Sequence, residues 1–168
     1  LFCGKSGVGK SSIASKMLVH GKLITEDIAV IDARLENTKI IPSFPSIKLD
    51  DKEATPLKSS LSIIDDGKFD SLGRSSYKLD EAKFTDKPQN IDQCFFLEWG
   101  HKNSIIELEK TEAMKYLFKY MVPPPQGNSL SSDKLSFLNS TKLLNQIRLF
   151  RVTRKQEKRD DLFFLSRI

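Results

Sequence analysis

A chain of 168 residues that is 39% hydrophobic and 29% charged has enough apolar material for one sizeable core, which excludes wholesale disorder and favours a single domain over 1–168. The net charge of +5, from 27 Lys and Arg against 22 Asp and Glu, is spread along the chain. Its densest run, Arg151 to Arg159, lacks interleaved aromatics and reads as a solvated face, so no nucleic-acid partner is expected. No run of about 18 apolar residues and no signal leader occurs, so no membrane partner is expected either. Cys3 and Cys94 have no metal-ligand spacing, and a reducing, cytoplasmic setting suits them.

In chain order, Leu1-Phe2-Cys3 reads as the end of a buried strand whose earlier part lies upstream, so the chain is expected to be N-terminally truncated. Lys10 to Val19 reads as a helix with Ile13, Ala14, Met17 and Leu18 on one face, stopped by Gly21. Lys22 to Thr25 then reads as a short strand, completing a strand-helix-strand unit with a right-handed crossover. Ile28–Asp32 and Thr38–Ile41 suggest a hairpin turning at Glu36-Asn37. Pro42, Pro45 and Pro56 punctuate a loop-rich stretch, and strands are expected over Arg74–Leu79, Gln93–Trp99 and Ser104–Leu108. A helix capped by Thr111 should bury Met114, Leu117, Phe118 and Met121. After a break at Pro123–Gly127 come a helix from Ser132 or Asp133 to Gln146, a strand over Ile147–Val152 and a closing helix over Asp161–Ile168. The expected fold class is α/β, a phosphate-loop strand-helix-strand unit joined to a mixed, partly antiparallel sheet.

The chemistry concentrates in Gly4-Lys5-Ser6-Gly7-Val8-Gly9-Lys10-Ser11, which satisfies the G-x-x-x-x-G-K-[ST] pattern between a strand and a helix. Glycines at these places let successive backbone N–H groups turn inward as an anion nest above a helix N-terminus. Residues Gly4 through Ser12 are therefore the expected ATP-binding stretch. Lys10 would neutralise the β and γ phosphates, and the Ser11 hydroxyl would reach Mg2+.

Because the 22–25 strand is expected to run parallel to the first, its carboxyl end should carry Glu26 and Asp27 to the edge where the phosphates sit. Asp27 is then the expected second metal ligand and Glu26 the expected base for an attacking hydroxyl. A solvated turn is the alternative for both. His20, at a helix end, and His101, in a turn, read as surface residues.

The order of GKSGVGKS, a short helix, HGKLITEDIAVID and IIPSFPSIKL resembles the HPr kinase/phosphorylase catalytic domain and its smaller relatives, including the serine kinases of lasso-peptide precursors. Gly4–Ser11, Glu26-Asp27 and Pro42–Leu49 occupy the family's loop, acidic pair and Pro-rich segment. More loosely, Gly73–Tyr77 resembles its basic strand start and Gln146–Arg151 its closing strand. The resemblance implies a fold shared with phosphoenolpyruvate carboxykinase, use of ATP and magnesium, and phosphorylation of a serine on a protein or peptide. Larger family members form hexamers, so a homo-oligomer is one candidate, but the oligomeric state of this chain is left open. Arg74 is a candidate for stabilising the transferring phosphoryl charge, with a surface arginine as the alternative. Glu26 stands where the family commonly has Asp, and the stretch that supports phosphorolysis is not recognisable, so kinase activity alone is expected. Two rivals are a non-kinase nucleotide sensor and an NTP hydrolase. A GTPase is disfavoured, because N-K-x-D is absent and the D-x-x-G match at Asp70–Gly73 follows no apolar strand.

Overall fold

The computed structural model describes residues 1–33, 37–64, 69–122 and 130–155. The strands are β1 (Phe2–Gly4), β2 (Val30–Asp32), β3 (Lys39–Ile41), β4 (Ser46–Leu49), β5 (Leu61–Ile63), β6 (Ser75–Leu79), β7 (Gln89–Asn90), β8 (Gln93–Gly100), β9 (Ser104–Glu107) and β10 (Arg148–Lys155). The helices are α1 (Lys10–Met17), α2 (Asp51–Ala54), α3 (Lys110–Tyr120) and α4 (Leu130–Gln146), with a 3₁₀ helix over Thr55–Ser60. No helix among the described residues is long and apolar enough to cross a membrane. The chain forms two compact units, one of Leu1–Val8, Asp32–Lys39 and Asn90–Ile168, the other of Gly9–Ile31 and Ile40–Gln89.

The first unit is built on a four-stranded sheet in the order β1-β8-β10-β9. β8 runs parallel to both β1 and β10, while β9 is antiparallel to β10, so the sheet is mixed as its sequence suggested. Its centre is β8, where Cys94, Phe95, Phe96 and Leu97 are buried in succession, the pattern of a strand covered on both faces. Phe95 stacks between Phe2 and Phe150, while Phe96 packs against Tyr116 and Tyr120 of α3. Cys3 and Cys94 are free thiols with sulfurs 3.8 Å apart. The hydrogen-bonding contact with Cys3, and after it burial, push the Cys94 thiol well above its ordinary pKa.

The second unit has an antiparallel sheet in the order β4-β6-β5. Ile47, Leu49, Tyr77 and Leu79 from its strands form a core with Leu18, Ala54 and Leu57, and Ala14 and Leu23 pack against it. α1 therefore lies on β4 and α2. α2 is short but firmly started: the Asp50 carboxylate accepts from Glu53 N at 2.8 Å, and the Glu53 carboxylate accepts from Asp50 N at 3.3 Å, a capping box. The short strands β2, β3 and β7 form a third sheet in that order. The expected neighbours 28–32 and 38–41 are thus adjacent, although Glu36 of their turn lies outside the described residues.

Three expectations fail. Lys22–Thr25 is not a strand beside β1; it makes a single parallel bridge, Leu23 to Phe84, within the second unit. β1 pairs instead with β8, so no local strand-helix-strand unit forms. The long apolar β8 buries more surface against β1 than four residues of mixed polarity would, and that gain outweighs proximity in sequence. Second, the stripe on α3 is rotated: Ala113 and Leu117 are buried, whereas Phe118 and Met121 are 47% and 39% exposed, because Tyr116 and Tyr120 claim the face over Phe96. Glu109, not Thr111, is its N-cap, and it makes no side-chain capping bond. Third, Met17 on α1 is 36% exposed and outside the core, and the Arg151–Arg159 run is not the solvated face expected of it, since its described part lies in β10 with Arg154 buried. The expected helix over 161–168 and the break at 123–127 lie outside the described residues.

Candidate functional site

β1 stops at Gly4, beside Leu97 of β8. A Cβ at Gly4 would lie 2.8 Å from Val8 Cγ1 and 2.9 Å from the Leu97 carbonyl oxygen, so close packing demands glycine there. The chain then turns, with Val8 N donating to Lys5 O at 3.3 Å. Gly7 and Gly9 adopt φ of +78° and +88°, left-handed values that strain any residue with a side chain. Gly9 is the N-cap of α1, and its carbonyl accepts from Ile13 N at 3.1 Å. Lys5, Ser6 and Gly7 are exposed, Val8 is buried, and Lys10, Ser11 and Ser12 are half-buried on the first turn of α1. Val8 therefore contributes backbone, its side chain being committed to packing over Gly4.

The first turn of α1 carries no acidic residue of its own, which leaves its partial positive charge for an anion. One carboxylate does reach it: the Ser12 hydroxyl donates to Glu53 Oε1. Sequence reasoning passed over Glu53. The signal available was the Asp50-x-x-Glu53 capping pattern, which starts α2 and aims that carboxylate.

Glu26 is held by β4: its Oε1 accepts from Lys48 N at 2.8 Å. The turn around it is tied down by Ser43 N on Ile24 O at 3.1 Å, Ser43 Oγ on Thr25 Oγ1 at 2.8 Å and Thr25 Oγ1 on Ile28 O at 2.7 Å. Burial raises the Glu26 pKa above its ordinary value, and the Asp27 charge adds to this; the Lys48 N–H and the charges of Lys48 and Arg74 pull the other way and lose. Asp27 is more open, with its side chain 73% exposed and Lys48 Nζ at 3.4 Å. Arg74 is engaged by Asp70, whose Oδ2 accepts from Nε at 2.9 Å and from an Nη at 2.7 Å. That pairing holds the Asp70 carboxyl down at about 2.

Lys10, Ser11, Ser12, Glu26, Asp27, Arg74 and Glu53 all belong to the second unit. β4 links them: Glu26 is bonded to its Lys48, and α1 packs against it. The acids thus owe their place to β4 rather than to the carboxyl end of a strand beside β1. Ser11 and Asp27 are oxygen donors of the kind magnesium prefers, and a small ligand set suits an ion that keeps waters and phosphate oxygens. Among the described residues, no cluster of three or more His, Cys, Asp or Glu side chains could hold a metal alone. His20 and His101 are exposed, as surface histidines should be.

Compared with known proteins, the chain matches no family model, no curated protein and no solved structure.

Proposed function

We propose that this protein binds ATP at Gly4–Ser12 and transfers its γ-phosphate to a serine hydroxyl of a protein or peptide, as a kinase of the HPr-kinase-like class with a phosphoenolpyruvate-carboxykinase-like fold. The observation that carries the proposal is the loop itself: a strand ending at Gly4, left-handed glycines at Gly7 and Gly9, and a helix opening with Lys10 and Ser11. Lys10 neutralises phosphate charge. Ser11 and Asp27 would hold Mg2+, which when bound would supply charge neutralisation to the phosphates.

Glu26 accepts the proton of the acceptor serine as its oxygen bonds to the γ-phosphorus; the bond from that phosphorus to the β,γ-bridging oxygen breaks and ADP leaves. A raised pKa makes the Glu26 carboxylate a better proton acceptor than an ordinary one. Arg74 steadies the transferring charge once released from Asp70. The setting is the cytoplasm, and assembly into a homo-oligomer accords with the resemblance.

A specific observation favours the rival, a nucleotide sensor or hydrolase: Asp27 and Arg74 are both engaged, with Lys48 and Asp70. The two readings separate on incubation with γ-labelled ATP, magnesium, HPr and serine-containing peptides, alongside Lys10→Ala and Glu26→Gln. Label on an acceptor serine, lost in both variants, supports the kinase. Binding of ATP with release of phosphate or no turnover, and no labelled acceptor, supports the rival.

A further inference from the structure

β1, β8 and β10 run parallel in one sheet, with Gly4 beside Leu97 and Leu97 beside Val152. Their carboxyl ends share the edge at which the loop begins. Two residues beyond Leu97 and Val152, Trp99 and Arg154 face each other in register. Arg154 is 7% exposed, a rare location for a guanidinium. One of its Nη groups donates to the carbonyl oxygen of Val8, inside the loop, at 2.8 Å, and its guanidinium carbon lies 5.0 Å from the centre of the Trp99 ring.

The Val8–Gly9 peptide is planar and trans, so its C=O and N–H point in opposite directions. Anchoring the Val8 oxygen on Arg154 therefore turns the Gly9 N–H away from β10. Gly9 is the second invariant glycine position of the phosphate-loop pattern, where backbone N–H groups meet phosphate oxygens. We propose that Arg154 is a positioning residue for the phosphate loop: through the Val8 carbonyl it sets the Val8–Gly9 peptide so that the Gly9 N–H is presented to the phosphates, and Trp99 beneath it reports the loop's state. This rests on the nucleotide-binding part of the function proposed above. Arginine suits the task because its planar fork can bond a carbonyl at its edge while lying flat on an indole, which a lysine ammonium cannot do.

The test uses the chain's single tryptophan. Wild type, R154M, R154K and Lys10→Ala are titrated with MgATP and with inorganic tripolyphosphate, following Trp99 emission and, independently, heat of binding. Melting curves confirm the folded fraction of each. The expected result is a change in Trp99 emission on binding to wild type, an affinity loss of about 10- to 100-fold in R154M for both ligands, and partial recovery in R154K. Wild-type affinity in folded R154M overturns the proposal. If R154M does not fold, R154K decides: a loss of about threefold or more at an unchanged melting temperature supports positioning, and unchanged affinity overturns it. Failure of wild type itself to bind either ligand overturns the nucleotide reading first, and the role of Arg154 with it.

Discussion

Gly4 and Gly7 sit three residues apart in the same loop, yet the structure gives them different reasons to be glycine, so alanine at each should fail differently. At Gly7 a Cβ would meet nothing within 4 Å, and the whole cost is the φ of +78°. That cost is about 1–2 kcal/mol for an L side chain. Exposed loop backbone can relax to escape it when no ligand is present. Gly7→Ala should therefore melt within about 2 °C of wild type, the relaxed loop costing well under 1 kcal/mol. Restoring the strained geometry to bind MgATP should then cost roughly 5- to 30-fold in affinity. At Gly4 the added carbon would lie 2.8 Å from Val8 Cγ1 and 2.9 Å from the Leu97 carbonyl oxygen, and the latter belongs to the central strand. Something must shift, and overpacking of this kind costs about 1–3 kcal/mol, or roughly 2–12 °C in melting temperature. Thermal denaturation and calorimetric titration with MgATP read both variants. A Gly7→Ala protein that binds as wild type does would refute the requirement for left-handed geometry, and a Gly4→Ala protein of unchanged stability would refute the close approach of β1 and β8.

Lys10→Ala should weaken MgATP binding by about tenfold or more while leaving the melting temperature within a few degrees, because the half-buried Lys10 opens α1 rather than filling its core; equal affinity by titration counts against a phosphate role. Glu26→Gln preserves an acceptor for Lys48 N and removes the proposed base, so phosphoryl transfer should drop by about 100-fold or more in the labelling assay. Its stability effect has a definite sign: because the folded pKa is raised, the glutamate contributes stability that is fully present below its unfolded pKa and is lost as pH rises through the folded value. At pH 7 the glutamine variant should melt no lower than wild type, with the difference closing as the pH falls below the ordinary carboxylate range; a lower melting temperature at pH 7 contradicts the burial argument. Asp50→Ala removes half of the capping box that aims Glu53 at Ser12, at a cost of about 1 kcal/mol, visible as a melting shift of roughly 2–4 °C.

Much of the local structure was legible. The motif placed the strand, loop and start of α1; the apolar run at Cys94–Leu97 marked β8; and hydrophobic spacing located β6, β9, α3, α4 and β10 to within a few residues. What escaped was pairing. The partner of β1 lies some ninety residues away, chosen by the burial that β8 offers, and short-range patterns carry no record of that choice. β5 and α2 escaped because each is three or four residues long, too short for a period to show, although the Asp50-x-x-Glu53 cap was present to be read.

The candidate base shows why a site is harder to read than a fold. Counting charges near Glu26 would list one acid, Asp27, against two cations, Lys48 and Arg74, and would place its pKa low. The shift is upward because burial is the largest influence, and burial follows from tertiary packing that a count of charges does not see. The bond that fixes Glu26 there comes from the main-chain N–H of Lys48, a group every residue but proline possesses and no sequence pattern advertises. The same holds for Arg154, whose partner is the carbonyl of Val8 across 146 residues. Residue types suggested a chemistry for Gly4–Ser11, but bonds to main-chain groups, made between segments distant in sequence, decide how these side chains and this loop are held.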